Sequence, residues 1–171
     1  MLRSLLLVPV LAIVAGGAWY AYPGTPLPAG TRIDSLRVYK SERRMDVYAG
    51  GGVVKTYWIA LGQEPVGDKQ YQGDMRTPEG RYTINDKNPN SGYHKNLGIS
   101  YPNDADRKEA RALGKSPGGD IKIHGLPNGR GYIGKLHRQS DWTWGCIAVT
   151  DEEVDELYEA VPIGTPIEIR P

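Results

Sequence analysis

The sequence predicts a mostly β domain with one or two short helices, preceded by an N-terminal hydrophobic helix. Three observations point there. Gly 22 and Pro 13 together make about a fifth of the 171 residues, a turn-rich composition that favours strands and loops over a helical bundle. β-Branched and aromatic residues gather in short runs bounded by turn residues, the signature of strands. Beyond the N-terminal region only two stretches carry helical spacing, Asp104 to Lys115 and Thr150 to Val161.

The length suits one domain with a core of its own. Hydrophobic residues at 39% and charged residues at 24% exclude wholesale disorder. A formal net charge of +1 leaves no bulk field to hold nucleic acid or anionic lipid.

Arg3 precedes an apolar run of 18 residues, Leu5 to Tyr22, interrupted only by Pro9, Gly16 and Gly17. A positive residue, an apolar segment and small residues near Ala18 are what an export signal offers. The run is also close to the length that spans a bilayer, with Arg3 on the cytoplasmic side. Residues 1–22 are therefore expected to be a signal peptide or an inner-membrane anchor, and any membrane contact is expected only there. The expected location is the periplasm or cell envelope. Residues 23–30, PGTPLPAG, have a linker composition, and the folded domain is expected over 31–171.

Strands are predicted at Leu36 to Tyr39, Met45 to Tyr48 and Val53 to Leu61, the last two joined by a hairpin at Ala49 to Gly52. This glycine run lacks the Lys-Ser/Thr ending of a phosphate loop and precedes a strand. The turn Thr77-Pro78-Glu79-Gly80 delivers a strand at Arg81 to Ile84. Asn85 to Gly98 has loop composition, and Asp104 to Lys115 reads as a charged surface helix. In Asp120 to His124, Ile121 and Ile123 alternate with Lys122 and His124, the period of a strand. A loop from Gly125 to Trp144 leads to the short apolar run Ile147-Ala148-Val149. Thr150 and Glu153 form a capping box, and Val154, Leu157, Tyr158 and Val161 share one face of the following helix. Thr165 to Arg170 closes the chain as a strand with Ile167 and Ile169 facing together.

Cys146 is the one cysteine, so no disulfide forms within the chain. A thiol attacks a carbonyl as thiolate, and a histidine base is the usual means of producing one. Of His94, His124 and His137, only His124 ends a predicted strand and is followed by glycine, where a neighbouring carbonyl could hold the ring. Gly145 before Cys146 lets the backbone approach closely, so that amides of the turn can point at an oxyanion. Other readings stand beside this one. Cys146 suits a small buried hydrophobe, and His124 a structural residue. His124, His137 and Cys146 could be zinc ligands, although separations of 13 and 9 residues match no close-paired metal pattern. Trp142 and Trp144 fit either core rings or walls of a cleft.

The pair Ile123-His124-Gly125, followed 22 positions from histidine to cysteine by Thr143-Trp144-Gly145-Cys146-Ile147-Ala148-Val149, resembles the YkuD-type L,D-transpeptidase domain. VYKSERRMDVYAGGGVVKTYWIALG and RTPEGRYTI resemble that family's opening hairpins and its Thr-Pro-x-Gly turn, so the likeness runs from about Leu36 to Ile169. The resemblance implies a β sandwich or barrel-like fold with a cleft and an acyl transferase acting on peptidoglycan stem peptides. Cys146 would attack the amide before the terminal D-Ala of a donor tetrapeptide, His124 would be the base, and an amine of a second stem would accept the acyl group. The Gly125 carbonyl would be the third triad member, with Thr143, Trp144 and Gly145 around the oxyanion and substrate. No cofactor or metal is implied. Two positions depart from the family pattern: Trp144 replaces a frequent histidine, and Ala148 stands where Arg or Asn is usual. Arg130, Lys135 or Arg138 are candidates for a positive edge toward stem carboxylates. Transfer of the acyl group to water, giving a hydrolase, and a catalytically silent wall-binding module are the alternatives.

Overall fold

The computed structural model describes residues 24–171, so the hydrophobic segment expected at 1–22 lies outside the described residues. Ile33 is buried in the core, and its N–H donates to Ala160 O at 2.9 Å. The first hairpins follow as β1 (Ser35–Tyr39), β2 (Arg44–Ala49) and β3 (Gly52–Trp58). Gly50 and Gly51 both have positive φ, +58° and +83°, the pair of left-handed residues that a tight hairpin turn matching strand twist requires.

β4 (Gly80–Ser91) and β5 (His94–Ile99) form a long hairpin where the sequence predicted a loop over 85–98. The composition misleads because most of the distal part of β4 faces solvent, so it carries Asn, Asp and Pro instead of alternating apolar residues. Its register shifts twice, between Ile84 and Asp86 and between Asn88 and Ser91, and Pro89 falls inside the second irregularity, where a missing N–H costs no ladder bond. Buried Leu97 and Ile99 hold β5 to the core.

Helix α1 (Asp104–Ala112) has a complete capping box between Asn103 and Asp106, and it ends three residues before the predicted limit. β6 (Lys122–His124) is shorter than the predicted strand, since Asp120 has φ +58°, outside the extended region. The predicted loop from Gly125 to Trp144 contains a 3-10 segment, Gly131–Gln139, with a kink at Gly134. β7 is the pair Ile147–Ala148. Helix α2 (Asp151–Ala160) opens on the predicted capping box of Thr150 and Glu153 and buries Val154 and Leu157. β8 (Pro166–Arg170) buries Ile167 and Ile169.

The eight strands form one sheet in the order β3-β2-β1-β8-β4-β5-β6-β7. β1 with β8 and β6 with β7 are parallel, and the other pairs are antiparallel. The two ends of this order meet. Ala60, just past β3, exchanges both backbone hydrogen bonds with Ala148 of β7, at 3.0 and 2.8 Å. The sheet is therefore curled, with the strand β3 switching partner at Ala60 instead of continuing to Leu61 as predicted. Val38, Met45, Ile84, Leu97, Ile123 and Ile147 are each at most 0% exposed within the enclosed core, and each contributes about 1.5–3 kcal/mol by leaving water.

Candidate active site

His124 ends β6, which is held on one side by β5 and on the other by β7. The parallel β6–β7 register pairs Ile123 with Ile147 and His124 with Ala148. Paired residues of parallel strands share a face about 4.8 Å apart, so Ala148 neighbours His124. Continued one step back, the same register sets Lys122 beside Cys146.

The turn before β7 is clasped from two directions. Thr143 exchanges backbone bonds with the segment after β3: its N–H donates to Leu61 O at 3.1 Å and its O accepts from Gln63 N–H at 3.0 Å. Its hydroxyl accepts from Gly145 N–H at 3.2 Å and donates to Cys146 O at 2.7 Å. Gly145 has φ +126°, and a Cβ there would lie 2.6 Å from Arg76 O, so no other residue fits without rebuilding the turn. Gly62, against the same turn, gives its N–H to Thr77 Oγ1 at 3.0 Å. The Thr-Pro-x-Gly turn thus buttresses the cysteine turn. Lys40, buried at 2% exposure, fixes it from behind, with Nζ donating to Thr77 O at 2.9 Å and to Glu79 Oε1 at 2.8 Å.

His124 and Cys146 line the same groove, of about 450 Å³. The imidazole is 5% exposed. Its Nδ1 lies 2.7 Å from Gly125 O, and since a carbonyl can only accept, Nδ1 carries the proton and Nε2 is left as a lone pair. Burial lowers the His124 pKa below the ordinary imidazole value, the Gly125 bond opposes this, and the charge of Lys122 adds to the lowering. The ring packs against Tyr93, centroids 4.6 Å apart, and edge-on to Trp142 at 5.7 Å.

Cys146 is half-buried, and its thiol donates to Asp120 O at 3.4 Å and not to the imidazole. Burial pushes the thiol pKa up, while a backbone N–H of Lys122 facing the sulfur and the Lys122 charge pull it down. Both net shifts favour the uncharged forms, thiol and imidazole.

The other residues singled out in the sequence take varied places. Trp144 is 73% exposed and sits at the groove. The Gly145 N–H is occupied by Thr143 Oγ1. His137 is buried, and its Nδ1 accepts from Trp142 Nε1 at 3.4 Å. His94 bonds Asp155 at 2.9 Å. Among the described residues no group of three or more His, Cys, Asp or Glu side chains is placed to hold a metal. Lys135 and Arg138 line a separate cavity, and Arg138 is held by both carboxylate oxygens of Glu153 at 2.6 Å. The groove's own cation is Lys122, which in the sequence stands only as the polar half of a strand alternation. The hairpin read as a loop supplies the asparagines Asn88, Asn90 and Asn96 and the aromatic Tyr93. Ala148 is fully buried, with its backbone tied to Ala60.

The family model of the YkuD L,D-transpeptidase catalytic domain matches residues 34–169. The chain is 31% identical over 134 residues to "Putative L,D-transpeptidase YafK" of Escherichia coli (strain K12), covering 74% of this chain and 46% of that protein. It superposes on the crystal structure of the helical cell shape determining protein Pgp2 from Campylobacter jejuni with a TM-score of 0.60 at 25% identity, over 82% of this chain and 48% of that one. The L,D-transpeptidase of Xylanimonas cellulosilytica shares the fold at a TM-score of 0.51 and 14% identity, over 86% and 65% of the two chains. The chain spans about half the length of the first two relatives. With its matched region running from β1 through β8, the chain belongs to the YkuD L,D-transpeptidase catalytic domain family.

Proposed function

We propose that the protein is a cysteine-dependent acyl transferase of peptidoglycan stem peptides, acting in the cell envelope. The observation that carries this reading is the His124 Nδ1–H bond to Gly125 O in the groove that also holds Cys146. It leaves a neutral, oriented base on the strand next to the nucleophile.

Rotation of the Cys146 side chain from Asp120 O brings the thiol proton to His124 Nε2, a tightening on substrate binding that is usual for catalytic hydrogen bonds. The sulfur attacks the carbonyl that precedes the terminal D-Ala, forming a C–S bond and an oxyanion. Because Gly145 N–H is taken by Thr143, the Cys146 N–H is the turn amide available to that oxyanion, an interaction worth about 3–4 kcal/mol. The C–N bond breaks as His124 returns the proton to the D-Ala amine. An acceptor amine then attacks the thioester and gives its proton to His124, the C–S bond breaks, and the departing sulfur takes that proton back from His124.

The test is mass analysis after incubation with a disaccharide-tetrapeptide. Loss of D-Ala with a crosslinked dimer supports transfer, loss of D-Ala with a tripeptide monomer indicates water as acceptor, and absence of turnover overturns the reading. Cys146→Ala must abolish every product.

A further inference from the structure

The groove around Cys146 is chemically lopsided. Its asparagines, Asn88, Asn90 and Asn96, offer neutral amides suited to the backbone of an extended peptide. Its rings, Tyr93, Trp142 and Trp144, offer apolar surface. Neither set carries a positive charge to pair with a carboxylate. The permanent cation among the groove's lining residues is Lys122, and the one carboxylate among them, Asp120, has a side chain 94% exposed and stands 3.6 Å from the Lys122 ammonium. That loose, wet ion pair holds the ammonium weakly, so a ligand carboxylate can replace Asp120.

The position of Lys122 is set by the sheet. The β6–β7 register, Ile123 with Ile147 and His124 with Ala148, puts Lys122 alongside Cys146 and on the same strand face as His124, two residues or about 7 Å away. A carbonyl carbon attacked by Cys146 has the carboxyl carbon of the next residue at most about 3.8 Å further along the chain. A lysine beside the nucleophile can reach that carboxylate only if the residue after the scissile bond is the last one. The family's usual Arg or Asn at position 148 would stand beside His124; here that place is filled by a buried alanine, and the positive charge is on the other side of the diagonal.

We propose that Lys122 is a specificity-determining residue that binds the free α-carboxylate of the donor's leaving residue, so that the enzyme reads the C-terminal end of a stem peptide. This deepens the function proposed above and rests on it. A longer or capped stem would leave the ammonium facing an amide instead of a carboxylate, losing a charge-assisted hydrogen bond.

The experiment compares D-Ala release from a disaccharide-tetrapeptide with release of D-alaninamide from its C-terminal carboxamide, using the purified full chain. Wild type is expected to favour the free acid by about tenfold or more in kcat/KM, mostly through KM. In Lys122→Met both absolute rates fall with the loss of the cation beside the sulfur, and the ratio falls toward one; Lys122→Arg retains the preference. An unchanged ratio in Lys122→Met, or no preference in wild type, overturns the role of Lys122 while leaving the acyl transferase standing. Absence of D-Ala release together with absence of any Cys146 adduct overturns the functional reading and this inference with it.

Discussion

The hydroxyl of Thr143 donates to the carbonyl of Cys146 at 2.7 Å while accepting the Gly145 N–H at 3.2 Å, so one side chain closes the turn that presents the sulfur. Thr143 is 4% exposed. Thr143→Val keeps the shape and removes the hydroxyl, leaving two backbone groups unpaired at a cost of about 1–3 kcal/mol. The expected result is a lower Tm together with a fall of at least about tenfold in the rate at which a carbapenem adds its mass to Cys146. Thr143→Ser restores both. Equal acylation rates in the valine variant and wild type would show that the clasp does not position the sulfur.

The pH dependence of acylation follows from two opposite shifts. His124 is pushed below, and Cys146 above, their ordinary values, in both cases chiefly by burial. On the proposed mechanism, the reacting pair is then neutral imidazole with neutral thiol. The acid limb of kcat/KM should lie below about pH 6.5 and the alkaline limb above about pH 8.5, with a plateau between. Thiolate ultraviolet absorbance, taken as the difference between wild type and Cys146→Ala, should be absent at pH 7. A thiolate signal at pH 7 would mean a preformed thiolate–imidazolium pair and refute this assignment.

Much of this site could be read from the chain, and the gaps have physical causes. The order of Thr77-Pro78, His124-Gly125 and Gly145-Cys146 marked the elements that the fold stacks together, because turns and backbone contacts constrain residue type locally. Helix α2 was legible from Thr150 and Glu153, a capping box whose two bonds are both formed. The hairpin carrying Tyr93 and Asn96 was not, because a strand with one wet face and two bulges has the composition of a loop. Lys122 was missed for a different reason: which cation reaches the groove depends on the β6–β7 register, and pairing between segments more than twenty residues apart leaves no local pattern.

His137 makes a separate prediction about stability. Burial, with contributions from Arg138 and His124, pushes its pKa down to about 4, and its Nδ1 lone pair holds the Trp142 indole. The folded value lies below the unfolded one of about 6.5. The unfolded chain therefore binds more protons between those values, and stability rises with pH across that window. This contribution is complete above about pH 6.5 and is lost as the pH falls toward 4, amounting to at most about 3 kcal/mol. His124, lowered in the same direction, adds to the slope. In His137→Gln, whose amide oxygen can still accept from Trp142, Tm should fall less steeply between pH 6.5 and 4 than in wild type. Parallel Tm curves for the two proteins would remove His137 as the titrating group.

Lys40 offers the last and most severe test of the architecture. Its ammonium is 2% exposed and makes three hydrogen bonds, to Gly67 O at 2.5 Å, Thr77 O at 2.9 Å and Glu79 Oε1 at 2.8 Å. A buried charge so fully partnered is costly to break from one side, because the remaining carboxylate and carbonyls are stranded. Lys40→Met should destabilise the protein by about 3–5 kcal/mol, readable as a lower urea midpoint at unchanged slope. Adding Glu79→Gln removes the stranded charge, so the double variant should recover part of the loss, whereas independent sites would sum. The chain Lys40, Thr77, Gly62 and Thr143 also ends at Cys146, so acylation by a carbapenem should slow in folded Lys40→Met at low temperature. If the double variant is as unstable as the sum of the singles, Lys40 acts through the carbonyls of the Thr77 turn alone and the Glu79 ion pair contributes nothing to holding it.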